Sequence, residues 1–223
     1  MNIFSNNVFS NNGSITIVNG VVVNGNVTDN GKKGNGKLSS EKRIISNFDA
    51  IKVSGSVDVI YQKSSIAELA VEADSNLLDN IETVVKGQTL HIKSKGSFST
   101  NNGITIKCSS PSIEHVKISG SGDVVLQDIE EPELILQISG SGDIEVDGVC
   151  DDLTASVSGS GDIDAEELIA QHVVVNVAGS GDAVVTAKQS VRASVSGSGD
   201  IKVKGKPLQK QISERGSGSV KIK

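Results

Sequence analysis

A short motif, SGSGD, recurs along the C-terminal half of this chain at intervals of about twenty residues. It begins at Ser119, Ser139, Ser158, Ala178 (as AGSGD) and Ser196, with a degenerate GSGS at Gly216 and an early relative, SGSVD, at Ser54. The motif aspartates at positions 123, 143, 162, 182 and 200 are separated by 20, 19, 20 and 18 residues. Such a period indicates a repeat architecture, because a single repeat cannot bury its apolar face and must stack on its neighbours.

Apolar and polar residues alternate strictly around each motif. Leu153, Ala155 and Val157, followed by Ile163 and Ala165, share one parity, and the residues between them are polar. A period of two is that of a strand with one buried face. We therefore predict an all-β fold, a parallel β-helix or solenoid with coils of about 18–20 residues. The usual crossover preference makes a right-handed winding the expected one.

The two glycines of each motif fall on the inward parity. They are Gly120, Gly122, Gly140, Gly142, Gly159, Gly161, Gly179, Gly181, Gly197 and Gly199. We interpret GSG as a structural corner between two short strands of one coil. Glycine there removes a side chain that would point into the interior, and it permits a positive φ.

The chain divides into an N-terminal arm or cap, residues 1–46, and a β-helical head domain, residues 47–223. Within the head, residues 47–118 are irregular and residues 119–223 carry the regular coils. Residues 31–37 of the arm, GKKGNGK, have the composition of a flexible linker. Solenoids need caps, because an open end exposes unpaired strand edges.

Composition and charge argue against several classes of function. The net charge is −6 and aromatic residues make up 2% of the chain, with no basic stripe or stacking platform, so we expect no nucleic-acid partner. No segment is apolar enough to span a membrane. Residues 1–12 lack the pattern of a signal peptide, which leaves the location open. Association of copies through an open coil end or a flat face is one expected mode of interaction.

A second set of motifs resembles a known bacterial family. Residues 47–55 read NFDAIKVSG, and VEAD at 71–74, NLL at 76–78, IET at 81–83 and LHI at 90–92 follow in that order before the SGSGD repeats. Over about residues 44–223 the chain resembles the "putative auto-transporter adhesin, head GIN domain" family. The resemblance implies a β-helical, exported or envelope-associated protein without catalytic residues. The chain departs from the family pattern at Val57, where Gly is expected, and at Ser219, where Asp is expected.

The repeated aspartates are the candidate binding residues. If coils stack in register, Asp123, Asp143, Asp162, Asp182 and Asp200 form an outward ladder. Carboxylates about 5 Å apart repel one another, so something must offset the repulsion. One candidate is Ca²⁺, which prefers oxygen ligands. The other, which we favour, is hydrogen bonding of each carboxylate to backbone N–H groups in the corner. We therefore predict no cofactor and keep calcium as the alternative.

Nothing in the sequence indicates catalysis. The motif serines Ser121, Ser141, Ser160, Ser180 and Ser198 have no neighbouring His and Asp that would suggest a triad. His91, His115 and His172 are scattered without metal-ligand spacing. Cys108 and Cys150 are either a disulfide or, as we prefer, two buried small hydrophobic residues.

These observations favour a non-catalytic, adhesin-like or structural module of the cell envelope that displays a repetitive acidic β-surface. A calcium-stabilised ligand-binding module is one alternative. The other is a polysaccharide-active β-helix enzyme, which would need a groove with basic and aromatic residues that the repeats do not supply. The protein or surface ligand that would be bound is not specified by these motifs.

Overall fold

The computed structural model describes residues 31–223 and, for the backbone only, strands β1 (Ile15–Val18) and β2 (Val21–Gly25). These two strands pair antiparallel. The other residues of the predicted arm that precede residue 31 lie outside the described part. The described chain is all-β with a large, mostly parallel sheet, which confirms the predicted fold class at that level.

Strands account for most of the described residues. In chain order they are β3 (Lys32–Lys33), β4 (Leu38–Lys42), β5 (Ala50–Gly55), β6 (Asp58–Lys63), β7 (Glu68–Asp74), β8 (Ile81–Lys86), β9 (Thr89–Ser94), β10 (Phe98–Ser99), β11 (Thr105–Ser110), β12 (His115–Gly120), β13 (Val124–Ile138), β14 (Ile144–Val157), β15 (Ile163–Val177), β16 (Ala183–Gly197), β17 (Ile201–Lys204), β18 (Gln209–Gly216) and β19 (Val220–Ile222). One turn of 3₁₀ helix, η1 (Leu78–Asn80), joins β7 to β8.

Two long ladders of strands organise the molecule. In ladder A the order is β8, β9, β5, β12, the C-terminal halves of β13 to β16, and β18. In ladder B the order is β4, β7, β11, β6, the N-terminal halves of β13 to β16, then β17 and β19. A shorter ladder between them includes the pairing of Val149 with Ile169. Each long strand therefore takes part in all three ladders, and each SGSGD motif connects ladder A to ladder B.

The register of the long strands follows the sequence repeat. Ile144 pairs in parallel with Val124 on one side and with Ile163 on the other, which are 20 residues earlier and 19 later. The predicted inward parity is also correct, because Leu153, Ala155 and Val157 are each at most 2% exposed. Alternation in the sequence thus specifies which face of each strand enters the core.

The irregular N-terminal half joins the same ladders out of sequence order. β5 lies between β9 and β12 in ladder A, and β6 lies between β11 and β13 in ladder B. β7, η1 and β8 then run back across the first level, antiparallel to β11 and β9. Residues 64–114 are therefore an insertion. Its strands β9 and β11 extend the two ladders in parallel beyond β5 and β6, and its strands β7 and β8 pair antiparallel beyond them.

The glycine corners owe their composition to close approach rather than to positive φ. None of the ten predicted corner glycines has a φ in the left-handed region, so that part of the prediction is wrong. A Cβ added at Gly161 would lie well under 3.0 Å from the carbonyl oxygen of Gly142 in the preceding repeat, and the other nine would meet a backbone oxygen similarly. Backbone is packed on backbone at each corner, and no side chain fits there.

Residues 31–37 are held against the head, which differs from the flexible linker predicted by composition. β3 pairs in parallel with β10. The amide of Asn35 donates to Ser75 Oγ at 2.8 Å, and its backbone N–H donates to Asn76 Oδ1 at 3.0 Å. Gly34 packs against the buried carboxylate of Asp74, where a Cβ would overlap it. Glycine and asparagine in this segment therefore serve close packing and side-chain bonding.

A charged side chain lies at each end of the ladders. At the N-terminal end, Arg43 donates to the carbonyl oxygens of Ile81 and Leu78 at 2.6 and 2.9 Å. At the C-terminal end, the inward-parity residue Glu214 accepts the backbone N–H of Val220 at 2.6 Å. Each contact occupies polar backbone groups at the outer levels, where unpaired groups would otherwise recruit another strand.

The two cysteines are buried free thiols, as the preferred prediction stated. Cys108 and Cys150 are 6% and 5% exposed and are not joined by a disulfide. Burial raises the pKa of each thiol to about 12. Both therefore remain protonated at neutral pH and act as small apolar side chains.

Substitution of a corner glycine tests the close-approach account. Gly161→Ala is expected to destabilise the chain by about 1–3 kcal/mol, because its Cβ overlaps backbone that cannot move independently. The matched control is Ser160→Ala, next to it on the exposed parity, which should change stability by less than about 0.5 kcal/mol. Guanidinium unfolding followed by circular dichroism measures both. Equal stability of the two variants would contradict the account.

Candidate functional site

The five predicted aspartates form a continuous hydrogen-bonded ladder at the start of the ladder B strands. Oδ1 of Asp143 accepts the backbone N–H of Asp162 at 2.8 Å, and Oδ1 of Asp162 accepts that of Asp182 at 2.7 Å. The same contact links Asp123 to Asp143 at 2.9 Å. Each carboxylate is thus bonded to the backbone of the next repeat, as the favoured interpretation predicted.

The ladder extends one level beyond the SGSGD motifs in each direction. Oδ1 of Asp58, in the early SGSVD relative, accepts the N–H of Asp123 at 3.1 Å. At the other end Asp200 accepts both the N–H and the hydroxyl of Ser219, at 2.8 and 2.9 Å. Ser219, which stands where the family pattern has Asp, therefore acts as a donor to the ladder.

Backbone groups of the neighbouring motifs bond to one another as well. The carbonyl oxygen of Asp162 accepts the N–H of Ile144, and the carbonyl oxygen of Gly140 accepts from Ser160 and Gly161. The N–H of Asp162 is the group left over, and the carboxylate of Asp143 receives it. The corner therefore needs a side-chain acceptor oxygen at this position, which aspartate supplies.

Asp200 differs electrostatically from the other members of the ladder. The two hydrogen bonds from Ser219, and secondarily the ammonium group of Lys221, lower the pKa of its carboxyl group. This bonding stabilises the fold when the carboxylate is ionised, and the contribution disappears as the pH falls through the lowered pKa. The last rung is thereby held as an anion at neutral pH.

The ladder does not gather ligands around a single point. Within residues 31–223, no group of three or more His, Cys, Asp or Glu side chains has an arrangement that could hold a metal ion. One oxygen of each carboxylate is already occupied by a backbone N–H, and successive carboxylates follow a line. A bound Ca²⁺ would have to rely on the remaining oxygen of neighbouring rungs and on water.

Acidic side chains nevertheless dominate the outward surface beside the ladder. Glu145 and Asp164 are exposed, lie opposite one another in register, and border a shallow depression of about 500 Å³ with Asp143, Asp162 and Asp182. We call these five residues the acidic face. Toward the C-terminal end its charge is balanced, because Glu166 pairs with Lys202 and Lys204.

The predicted serines and histidines are dispersed over the surface. Ser121, Ser141, Ser160, Ser180 and Ser198 are all exposed at the corners. His115 Nε2 lies 3.2 Å from Gln137 Oε1 on ladder A. None of these groups faces an enclosed pocket, so their surroundings lack the exclusion of water that nucleophilic catalysis uses.

One arrangement escaped the sequence analysis because its members are a repeat apart. Asp152, His172 and Ser190 occupy adjacent rungs of ladder A, and His172 Nδ1 lies 2.8 Å from Ser190 Oγ. The 20- and 18-residue separations of these positions were the signal that could have found them. The described contacts include no hydrogen bond between Asp152 and His172, and the histidine is exposed. The geometry is that of a polar surface row.

The largest concavity described is a groove at the N-terminal end of ladder B, with a volume of about 790 Å³. Its apolar surface includes Ile60 and Ala70, which are half-buried on the outward parity, and Ala67. Its cationic residues are Lys42, Arg43, Lys63 and Lys107. We call this concavity the basic groove. No sequence motif predicted it.

The chain is thus an all-β protein with a large, mostly parallel sheet, and its charged and polar groups lie on the outward faces of the strand ladders. The chain belongs to the family described as "putative auto-transporter adhesin, head GIN domain", whose model matches residues 47–207. This finding confirms the resemblance that the sequence motifs indicate.

Solved structures of three proteins are similar to this chain in fold. A protein described as a putative adhesin from Bacteroides fragilis is 26% identical, with a TM-score of 0.71, over 86% of this chain and all of the other. A putative lipid binding protein from Parabacteroides distasonis is 28% identical, with a TM-score of 0.54, over 86% and 98% of the two chains. A putative adhesin from the same species is 26% identical, with a TM-score of 0.57, over 86% and 99%. No curated protein matches the chain.

The role of the aspartate ladder is tested by paired substitutions. Asp162→Ala should lower the melting temperature by a few degrees, because the N–H of Asp182 loses its acceptor. Asp162→Asn keeps an acceptor oxygen and should melt close to wild type. Glu145→Ala, an exposed carboxylate of the same surface, is the control and should also melt close to wild type. A structural role is refuted if all three variants melt alike.

The calcium alternative has its own test. A ligand that binds only the native state must raise the melting temperature by mass action. With the carboxylates occupied by backbone N–H groups, we expect the same melting temperature in EDTA and in millimolar Ca²⁺, read by circular dichroism. A rise in Ca²⁺ that Asp143→Asn removes would instead establish the ladder as a metal site.

Proposed function

We propose that this chain is a non-catalytic adhesion module of the cell envelope that engages its partner through the outward surface of ladder B. The family to which it belongs supports an adhesin-like role and an exported or surface location. The observation that carries the proposal is the acidic face, where Glu145 and Asp164 stand in register beside the aspartate ladder.

The chemistry of the acidic face indicates what it would bind. Carboxylates placed close together produce a negative potential that attracts cationic groups and steers their approach. Glu145 makes no hydrogen bond or ion pair with the described residues, so its charge is available to a partner. We therefore propose a partner with clustered basic groups, such as a basic protein segment on another surface.

The winding and domain division belong to the same proposal. Parallel registers offset by one repeat support a β-helix in which each coil adds one rung to every ladder. The usual crossover preference supports a right-handed winding. We propose residues 1–46 as the N-terminal arm or cap and residues 47–223 as the head domain. Pairing of β4 with β7 supports a capping role for the end of the arm.

Contacts between copies are proposed to use the sides of the ladders. Arg43 and Glu214 occupy backbone groups at the two ends, which disfavours end-to-end addition of strands. Among the described residues, none of the helical segments is long or apolar enough to cross a membrane.

Lipid binding is a second candidate function. One similar structure is described as a putative lipid binding protein, and in this chain the basic groove favours the same class of ligand. Pockets for small molecules are concave, largely apolar and contain a few polar groups that orient the ligand. The basic groove combines concavity with the apolar side chains of Ile60 and Ala70 and with cationic side chains, whereas the depression at the acidic face is bordered by carboxylates.

The adhesion proposal is tested with beads that carry the full chain. We expect the beads to adhere to cell or protein surfaces with exposed basic groups, and adhesion should weaken as salt shortens the Debye length. The double variant Glu145→Lys and Asp164→Lys should abolish most of the adhesion. Glu133→Lys, an exposed residue outside the acidic face, is the matched control and should adhere like wild type.

Two outcomes would contradict this proposal. Adhesion that is unchanged by reversal of the acidic face would move the contact elsewhere on the molecule. Release of reducing sugars from polysaccharides incubated with the chain, lost on substitution of His172 or Ser190, would replace the non-catalytic role with a hydrolytic one.

A further inference from the structure

The basic groove joins two features that are unusual on the outward side of a strand ladder. Ile60 and Ala70 lie on the parity that is mostly polar elsewhere, and they flank Lys107 in register. Ile44 at the rim is wholly exposed, and Ile66, next to the lining residue Ala67, is 64% exposed. An apolar floor with exposed isoleucines beside it can accept an apolar ligand, which would remove these side chains from water.

Cationic side chains outnumber carboxylates in the lining of the groove. The lining has four cationic residues (Lys42, Arg43, Lys63, Lys107) and one carboxylate (Glu68), and three of the cations are paired with carboxylates just outside it. A cation without such a partner attracts an anion to that place. The ligand must therefore combine an apolar body with an anionic group.

The ion pairs identify the cation that is available. Lys107 Nζ lies 2.9 Å from Glu72, Lys63 Nζ lies 2.9 Å from the buried Glu131, and Arg43 contacts Glu41. Lys42 makes no ion pair with the described residues and lies directly opposite Ala70 on the neighbouring strand. It is thus the residue placed to contact an anionic head group while the floor contacts the apolar body.

We infer that the basic groove binds a single-chain anionic amphiphile, with its acyl chain on Ile60 and Ala70 and its head group at Lys42. The volume of the groove, about 790 Å³, is within the range of small-molecule sites. This inference rests on the second candidate function above and is independent of the adhesion proposal. It names the ligand class and assigns a role to each of the three residues.

Binding is measured by calorimetry with dodecanoate and dodecyl phosphate on the full chain, below the concentrations at which they form micelles. Both should bind, and dodecanol should bind more weakly. Lys42→Glu should weaken dodecanoate binding about tenfold or more without weakening dodecanol binding. Lys52→Glu, an exposed lysine on ladder A, is the matched control and should bind like wild type.

The floor is tested separately from the charge. Ala70→Trp fills the groove and should abolish binding of all three probes, and Ile60→Gln, a smaller perturbation, should weaken all three. Circular dichroism melts establish that each variant is folded. If one of the two variants does not fold, the other still tests the floor.

Three results would overturn the inference: no binding by wild type, binding that Lys42→Glu and Ala70→Trp leave unchanged, or binding only to anionic phospholipid vesicles. The last would indicate a membrane-surface contact in place of a groove ligand. Bead adhesion by the Ala70→Trp variant separates the two proposals, because the acidic face is untouched by this substitution. Normal adhesion without amphiphile binding would leave the adhesion role intact.

Discussion

Backbone-to-backbone contact at the glycine corners determines how closely the repeats can stack. At Gly142 and Gly161 the Cα of one repeat lies against the carbonyl oxygen of the previous one, so a side chain on either would force the levels apart. Parallel strands need a spacing of about 4.8 Å for their hydrogen bonds, and the three ladders share the same spacing. The corners must stack at the same spacing, which leaves no room for a side chain between them, and glycine alone allows that.

The tight corner leaves one backbone N–H group without a backbone acceptor, and the aspartates supply one. Two N–H groups share each glycine carbonyl oxygen, and the N–H of the aspartate is left without a backbone acceptor. A carboxylate from the previous repeat receives it, which places a partial positive charge beside each anion of the ladder. The same bond that completes the corner therefore offsets the repulsion between successive carboxylates.

The sequence pattern predicts the features that recur in every repeat, and it does not predict the features that depend on pairing between distant, non-repeating segments. Alternation correctly assigned Leu153 and Val157 to the core, and the favoured hydrogen-bonding role of the aspartates is what the structure contains. The insertion at 64–114 could not be ordered, because pairing of β5 with β9 and β12 joins residues that share no local pattern. The basic groove was missed for the same reason, since Lys42, Ala70 and Ile60 meet only through the pairing of β4 with β7 and of β11 with β7 and β6.

The ends and sides of the ladders have different roles. Arg43 and Glu214 occupy backbone groups at opposite ends, so strand addition there would first have to displace an existing bond. The sides carry the contrast in chemistry: along ladder B the outward row passes from Lys42, Ala70 and Ile60 to Glu145 and Asp164. Apolar and cationic chemistry thus gives way to anionic chemistry within a few strands. Every rung is fixed in register by the corner that precedes it, so the two proposed binding surfaces lie on separate and fixed stretches of that row.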